Sequence, residues 1–438
     1  MRSVQRSVDK AGAVLRPRRF FLFGMKRLAQ RPGSERISVV IEPATTSTPR
    51  NQRYGSNLQV LTGIASLGFV LTGVVSTFLG PILPTLASRW ELTDSQSGYF
   101  FALQFLGSVI GAGLSSLLLP KQGFRITIAV AHFLMAGGVM ALILHPWTAG
   151  LMGTFIFGVG FGLVIPATNL LISNAHEERR AAALSILNLC WGLGAVLTPS
   201  AVYFAISHGK TIAFVIPLGV LLVLQSLSFV CISTEGLTVD QDRVLPDGQT
   251  KPGGRYMAMV GGMFFLYVAI EASIGGWIAT LARRFPAGLS GLWVLAPSLF
   301  YGGLLAGRGL APLILRRIRE RHVALSGLAV GGLGMFTLVT ASGWMLITAA
   351  GFFIGLGLAA VYPITIALLA NFGGGAKRNA GPLFALAGLG GSIMPWFVGV
   401  VSTRAGSLQA GLTVPLIATV VLFWLHAIGN NGSQISHE

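Results

Sequence analysis

Glycine and proline patterns recur about 196 residues apart, and this internal repeat constrains the fold more than any other feature of the chain. Gly158–Val–Gly160 is followed by Pro166, and the same pattern returns as Gly355–Leu–Gly357 followed by Pro363. A second pattern runs from Gly192 to Pro199 and returns from Gly388 to Pro395. One offset aligns both patterns, so chance explains them poorly. A duplicated, hydrophobic chain is typical of membrane proteins built from two related halves.

Apolar runs long enough to cross a bilayer recur throughout the chain. Hydrophobic residues make up 53% of the 438 residues and charged residues only 10%. A run of about 20 apolar residues can span a hydrocarbon core about 30 Å thick. We predict twelve such spans, at 58–86, 95–119, 123–144, 148–174, 181–207, 212–232, 256–284, 288–314, 322–341, 344–370, 379–404 and 408–428. Backbone polar groups in lipid need partners within their own segment, so the predicted fold is an all-α membrane protein of two six-helix halves.

The distribution of Lys and Arg predicts the topology of these spans. The net charge is +17. If the N-terminus lies in the cytoplasm, the tails and the even-numbered loops hold 25 of the 31 basic residues, and the odd-numbered loops hold five. This asymmetry follows the positive-inside rule and places both termini in the cytoplasm. The positive charge is therefore explained by membrane topology, and we expect no nucleic acid as a partner.

The hydrophilic segments predict the domain boundaries. We expect a basic tail over 1–56, helical halves over 57–233 and 256–429, a cytoplasmic linker over 234–255 and a C-terminal tail over 430–438. The tail 1–56 has twelve basic and three acidic residues. It is expected to be disordered, with Met25 as an alternative start. An interfacial segment on anionic lipid and a transit-like peptide are the other interpretations.

The sequence contains no pattern for metal binding, a cofactor or enzymatic catalysis. The two cysteines, Cys190 and Cys231, lie inside predicted helices and form no CxxC motif. The seven histidines form no HxxxH or HExxH pattern. Neither a nucleophile–base constellation nor a phosphate-binding loop is recognisable, so we expect a protein that is not an enzyme.

Glu271 is the acid that we single out as a functional residue. It is the only Asp or Glu inside any predicted span, and it lies near the middle of predicted helix 7. An ionised carboxylate at that depth costs several kcal/mol unless it is paired, hydrated or protonated. We therefore expect Glu271 to face a central cavity, where it carries a proton or accepts hydrogen bonds from a solute. A structural carboxyl bonded to a neighbouring helix is the alternative.

Polar and aromatic residues on other spans could line the same cavity. Tyr267 lies one turn before Glu271 on the same helix face. Trp277 reaches the cavity if Gly275–Gly276 unwinds the helix, where its ring would form an aromatic wall, and a core or interfacial Trp is the alternative. Asn169 and Asn188 either bond each other or contact the solute. Further candidates are Gln104, Trp191, Tyr301 and Tyr362.

One basic residue and four prolines are candidates for gating. Arg308 lies within predicted helix 8, towards its cytoplasmic end, where it could latch the cytoplasmic gate or extend to the interface. The matched prolines remove backbone hydrogen bonds inside the spans, which kinks a helix and could provide hinges. These prolines are Pro166, Pro199, Pro363 and Pro395.

Several strings resemble a known family of membrane transporters. The twelve-span, six-plus-six pattern resembles the major facilitator superfamily. Within it, the string from Tyr267 to Trp277 resembles the fucose/glucose permease branch, the fucose–galactose–glucose:proton symporters. Supporting strings run over Leu92–Gly98, Pro166–Asn169, Leu187–Gly194, Gly307–Arg308 and Gly390–Trp396. The resemblance covers roughly residues 58–428.

The chain departs from this branch at positions that matter for coupling. The branch carries an acid in helix 1 and another in helix 4, whereas here helix 1 has none and Ile165 stands where the helix 4 acid would be expected. The superfamily's loop motif between helices 2 and 3 keeps Lys121–Gln–Gly123, but Pro120 replaces its Asp. Both departures weaken a direct transfer of sugar–proton symport from the branch to this chain.

Together these features predict a secondary transporter that works by alternating access. The resemblance implies a monosaccharide as the small-molecule substrate, protons as the coupling ion, and a monomer in a bacterial plasma (inner) membrane. Two alternatives remain open from the residues. One is a proton-coupled exporter of cationic or amphipathic compounds, and the other is a membrane receptor or scaffold without transport activity.

Overall fold

Helices account for nearly all residues that the structure describes. The structure is a computed structural model, and it describes residues 51–144, 146–176, 179–208, 214–232, 234, 254–285, 292–370 and 374–429. The α-helices in these residues are α1 (Asn51–Thr77), α2 (Leu79–Trp90), α3 (Asp94–Met140), α4 (Trp147–Ala175), α5 (Arg180–Ser207), α6 (Val215–Cys231), α7 (Gly254–Arg283), α8 (Ala296–Leu315), α9 (Glu320–Thr340), α10 (Trp344–Leu358), α11 (Val361–Ala370), α12 (Gly374–Ala405) and α13 (Leu408–Gly429).

Ten segments of the described residues are long and apolar enough to cross a membrane, and Val215–Cys231 is a shorter apolar helix. The longest segment runs from Asp94 to Ile143 and contains two of the predicted spans. It is broken at Gly123, whose φ of 72° is a conformation that favours glycine. The residues 1–50, 235–253 and 430–438 lie outside the described part, and these include most of the predicted tails and linker.

The two parts of the bundle pack in the same way internally. We call residues 51–231 the first half and residues 254–429 the second half. In the first half α1 packs on α5 and α3 packs on α4, while in the second half α7 packs on α12 and α8 packs on α10. The halves meet where α3 contacts α12, where α2 contacts α7 and where α5 contacts α8. Any solute path between the halves is bordered by these helices.

The sequence repeat corresponds to a repeat in helix packing. A Cβ atom built on Gly107 would lie closer than 3.0 Å to the carbonyl oxygen of Phe155, which is closer than real Cβ atoms come. A Cβ atom built on the matching glycine of the second half, Gly303, would likewise lie closer than 3.0 Å to the carbonyl oxygen of Phe352. Such small residues let two helix backbones touch, which is how helices associate in lipid, where no water drives them together.

The matched prolines differ between the halves in their effect on the helix. Pro166 lies inside the continuous helix α4. Its counterpart Pro363 follows a break, because α10 ends at Leu358 and α11 begins at Val361. A proline nitrogen cannot donate to the carbonyl four residues earlier, here that of Ala359, and this loss together with the local packing accounts for the break.

Large apolar side chains are exposed on most helices. Met345 is 69% exposed, Leu333 68% and Phe204 66%. Water would penalise so much exposed apolar surface, whereas lipid would not. The exposed faces therefore agree with a chain whose helices are surrounded by a bilayer.

Candidate functional site

The acid singled out from the sequence pairs with the basic residue in α8. An Oε2 atom of Glu271 lies 3.9 Å from Nη2 of Arg308. The Glu271 side chain is 18% exposed and that of Arg308 is 32% exposed, so the pair is accessible from outside the protein core. At 3.9 Å the two groups attract each other, but they are farther apart than a hydrogen bond requires. Arg308 is therefore held near Glu271 without being fixed to it.

The helix boundaries explain why these two residues meet. Glu271 lies twelve residues before the end of α7 at Arg283, and Arg308 lies twelve residues after the start of α8 at Ala296. At 1.5 Å per residue, Glu271 lies about 18 Å from the C-terminal end of α7, and Arg308 lies about 18 Å from the N-terminal end of α8. The guanidinium of Arg283 stacks on Trp293, which brings the end of α7 next to the turn before α8. Arg308 was expected nearer the cytoplasmic end because the predicted span began at residue 288, whereas residues 292–295 form a separate 3-10 turn.

Arg308 also contacts a residue of the first half. Its guanidinium carbon lies 5.9 Å from the centre of the Trp191 ring on α5, which is within cation–π range. The same Nη2 atom of Arg308 donates a hydrogen bond to the hydroxyl of Tyr267, at 3.4 Å. Arg308 thus contacts Glu271 and Tyr267 in its own half and Trp191 in the opposite half.

Tyrosine rings surround the pair on the second-half side. The rings of Tyr267 and Tyr362 lie 5.2 Å apart between centroids. The Tyr301 hydroxyl lies over Gly275, one turn after Glu271, where a Cβ atom would collide with it. A cavity of about 10 Å³ is lined by Trp191, Tyr301 and Arg308 together with neighbouring α5 and α8 residues. This volume holds about one water molecule, so Trp191, Tyr301 and Arg308 leave no room for a larger molecule between α5 and α8.

The structure places Trp277 and Gln104 in other contacts. Trp277 is fully buried, and its indole N–H donates to the carbonyl oxygen of Pro395 at 2.8 Å. The helix α7 does not unwind at Gly275–Gly276, so the Trp277 ring packs on Phe101 instead of facing Glu271. Gln104 is buried and donates from Nε2 to the carbonyl oxygen of Ser76 at 3.1 Å.

The two asparagines bond their own helices. Asn169 donates to the carbonyl oxygen of Ile165, and Asn188 donates to that of Leu184, both at 2.8 Å. Asn169 is partly buried and Asn188 is exposed. No hydrogen bond between the two asparagines is present among the described residues. Each amide keeps its carbonyl oxygen available as an acceptor.

The remaining gating candidates are the four matched prolines, which lie in three different settings. Pro199 is buried inside α5 and Pro166 is partly buried inside α4. Pro395 lies inside α12 and accepts the Trp277 hydrogen bond through its carbonyl. Pro363 is exposed just after the break between α10 and α11. Among them, Pro363 coincides with a helix break.

A second charged cluster, which the sequence did not reveal, joins the halves at the start of α3. Asp94 forms an ion pair with Arg284, with Oδ1 and Nη2 2.5 Å apart. Its other carboxylate oxygen accepts a hydrogen bond from the hydroxyl of Ser402 on α12. The backbone N–H of Ser95 donates to the hydroxyl of Thr403 at 2.9 Å. We call this region the Asp94 end. The doublet Arg283–Arg284, which the predicted topology assigns to the same side of the membrane as the loop before α3, is the sequence signal that could have indicated this cluster.

The geometry supports binding and conformational change more than bond-making chemistry. Glu271 offers acceptor oxygens, Arg308 offers donors and the tyrosines offer hydroxyl groups next to flat ring faces. Arg308 and Tyr301 lie beside Trp191 of the first half, and Glu271 and Tyr267 lie next to Arg308. Such a site can bind a hydroxylated solute, and it can respond when the charge of Glu271 changes.

Comparison with known proteins identifies the family. The model of the Major Facilitator Superfamily matches residues 65–380. The glucose/galactose transporter of Brucella abortus biovar 1 (strain 9-941) is 24% identical over 413 residues, which cover 89% of this chain and 97% of that protein. The niacin transporter NiaP of Acinetobacter baylyi (strain ATCC 33305 / BD413 / ADP1) is 30% identical, but over 35% of this chain and only 36% of its own length.

Solved structures share the fold. The nucleoside transporter NupG matches with a TM-score of 0.70 and 13% identity, over 85% of this chain and 99% of its own. FucP, a Major Facilitator Superfamily transporter in the outward conformation, matches with a TM-score of 0.58 and 17% identity, over 85% of this chain and 99% of its own. These identities are low, so they establish the architecture alone. The family model covers most of the chain, and the predicted family is confirmed: this multi-pass membrane protein belongs to the Major Facilitator Superfamily, a family of transporters and not of enzymes.

Proposed function

We propose that the protein is a proton-coupled monosaccharide transporter that works by alternating access, with Glu271 as the proton carrier. The observation that carries this proposal is the Glu271–Arg308 pair, because it combines an intramembrane acid with a cation that also contacts the opposite half. The similarity to a glucose/galactose transporter over 89% of the chain supports the choice of substrate.

The proposed topology has twelve spans, with both termini in the cytoplasm of a bacterial cell. The broken helix α3 supplies two spans, α10 and α11 supply one, and the short helix α6 supplies the sixth of the first half. The basic residues Arg316, Arg317, Arg319 and Arg321 after α8 then lie inside, as the positive-inside rule requires. The Asp94 end faces outside, and the protein acts as a monomer in the inner membrane.

Coupling follows from the divided contacts of Arg308. While Glu271 is ionised, its carboxylate attracts Arg308 towards α7. Protonation removes this attraction, and Arg308 is then held mainly by Tyr267 and by the Trp191 ring on α5. A shift of Arg308 towards α5 changes the contact between the halves, so proton binding alters which conformation is favoured. A ligand moves such an equilibrium only through this kind of differential contact.

The sugar would bind against the same residues. Its hydroxyl groups pair with the Glu271 carboxylate, the Arg308 guanidinium and the tyrosine hydroxyls, and its apolar ring face packs on an aromatic ring such as Trp191. The cavity of about 10 Å³ is too small for a sugar, so a sugar that lies between Trp191 and Arg308 requires α5 and α8 to move apart. Substrate binding and conformational change are therefore linked.

The alternatives are less well supported by the site. An exporter of cations needs a free carboxylate, but Arg308 already supplies a cation to Glu271. A scaffold without transport activity needs no accessible ionisable pair, yet both side chains of this pair are partly exposed.

Uptake into proteoliposomes tests the proposal. Purified protein is reconstituted and offered radiolabelled D-glucose, D-galactose, D-mannose and L-fucose, with and without an inward proton gradient. We expect gradient-stimulated uptake of at least one sugar, and its loss in Glu271→Gln. The control is Glu320→Gln, the same change at an exposed acid at the start of α9. Absence of uptake for every sugar under both conditions would refute a monosaccharide substrate.

A further inference from the structure

A larger cavity lies between the halves at the Asp94 end, away from the Glu271–Arg308 pair. Its volume is about 380 Å³, within the range of about 300–1,000 Å³ that is typical of small-molecule sites. Residues of α2 and α3 in the first half and of α7 in the second half form its walls. We call it the junction cavity.

The charges of the wall do not cancel. Asp94, Arg283 and Arg284 line the junction cavity, so it has one positive charge in excess. Arg284 is paired with Asp94, whereas Arg283 bonds the carbonyl oxygen of Pro84 and stacks on Trp293, neither of which neutralises it. Glu91, the acid nearest in sequence, is exposed and is not part of the wall. A guanidinium has five N–H donors, so Arg283 can bind a further anion.

Two hydroxyl groups of the wall lack partners. Ser97 and Thr280 line the junction cavity, and the Oγ of Ser97 and the Oγ1 of Thr280 are buried without a hydrogen-bond partner. Ser97 comes from the first half and Thr280 from the second. A buried hydroxyl without a partner is unfavourable, so both gain if a ligand offers them a hydrogen bond.

We propose that the junction cavity is a second binding site, which takes a small hydroxylated monocarboxylate of the sugar-acid class. The carboxylate of the ligand pairs with Arg283, and its hydroxyl groups bond Ser97 and Thr280. The apolar side of the wall, formed by residues such as Leu83 and Leu92, accepts its carbon chain. Since the walls come from both halves, the bound ligand stabilises the closed arrangement of the Asp94 end and slows transport.

Calorimetric titration of the purified full chain with sodium D-gluconate tests this site. We expect saturable binding to the unaltered protein, weakened at least tenfold in Arg283→Gln. The matched control Arg317→Gln removes the same charge at an exposed position after α8, and we expect it to bind gluconate normally. Ala87→Phe, which fills the cavity without removing a charge, provides a second variant if Arg283→Gln does not fold, and we expect it to bind no gluconate.

Three results would overturn the proposal. They are no binding of gluconate to the unaltered protein, equal binding to the unaltered and Ala87→Phe proteins, and equal weakening by Arg283→Gln and Arg317→Gln. Sodium acetate that binds as tightly as gluconate would refute the role of the hydroxyl groups. None of these results depends on Glu271 or on sugar uptake. The second site can therefore be refuted while the proposed function holds, and the proposed function can be refuted while the second site holds.

Discussion

At the scale of single residues, Arg308 links the two halves because it has contacts in both. It lies 3.9 Å from Glu271 in its own half, and its guanidinium stacks at 5.9 Å on Trp191 in the other. The sequence alone singled out Glu271 as an acid inside a predicted span, since hydropathy reveals a lone charge in an apolar run. It could not show the partner, because pairing between helices depends on where α8 begins and how α7 and α8 pack.

The energetic coupling between Glu271 and Arg308 can be measured directly. Arg308→Gln leaves the carboxylate without its cation, which destabilises the protein, and adding Glu271→Gln removes the uncompensated charge. We expect the double variant to be more stable than Arg308→Gln, with a coupling energy of about 0.5–3 kcal/mol. Thermal unfolding of the four proteins in detergent gives this value. Additive losses of stability would show that the two side chains do not interact.

The Trp191 ring provides the second contact of Arg308. Trp191→Leu removes the cation–π interaction, which is worth about 0.5–2 kcal/mol, and leaves an apolar residue in place. We expect a lower maximal rate of sugar uptake with little change in stability, and partial recovery in Trp191→Phe. Initial rates in proteoliposomes measure this series. Equal rates in the Leu and Phe variants would exclude an aromatic role at this position.

At the scale of helices, matched glycines bring backbones into contact in both halves. The Gly107–Phe155 and Gly303–Phe352 approaches show that the repeated glycines of the sequence correspond to close helix contacts in the structure. The sequence did not predict that one helix stays continuous at Pro166 while its counterpart breaks before Pro363. Both prolines remove one hydrogen bond, but the surrounding packing determines whether the helix bends or breaks.

Substitutions at two adjacent glycines in α8 distinguish the effect of close packing on stability from the effect of helix propensity. An added Cβ at Gly303 would collide with the carbonyl of Phe352, whereas an added Cβ at Gly302 meets nothing within 4 Å. We expect Gly303→Ala to lose about 1–3 kcal/mol through overpacking. Gly302→Ala should be neutral or slightly stabilising, because alanine favours helix more than glycine does. Thermal unfolding of both variants measures this, and equal effects would contradict the packing described here.

At the scale of the whole molecule, the halves are joined at the Asp94 end and also meet where Arg308 contacts Trp191. Hydropathy and the repeat predicted a membrane protein of two related halves, and the resemblance of several strings indicated the family. The cavity contacts could not be predicted equally well. Trp277 was expected beside the solute, but its N–H bonds Pro395 between α7 and α12. The Asp94–Arg284 pair joins residues far apart in sequence, and both lie at or just beyond the ends of predicted spans.

Breaking the Asp94–Arg284 pair should open the Asp94 end. In a background with Cys190→Ser and Cys231→Ser, a thiol introduced by Ser97→Cys reports this opening, since Ser97 is buried in the closed arrangement. We expect Asp94→Asn to speed labelling by a membrane-impermeant thiol reagent. Glu91→Gln, a change of the same kind at an exposed acid, is the control. Unchanged labelling in Asp94→Asn would show that the pair does not hold this end closed.

The central claim is that Glu271 carries the coupling proton, and comparing accumulation with exchange in Glu271→Gln tests it most directly. The same proteoliposomes are assayed for sugar accumulation driven by an inward proton gradient and for exchange of internal unlabelled sugar against external labelled sugar without a gradient. We predict that Glu271→Gln loses accumulation but retains exchange, because sugar binding and the conformational change persist while proton binding does not. Accumulation at the unaltered level in Glu271→Gln would contradict the account.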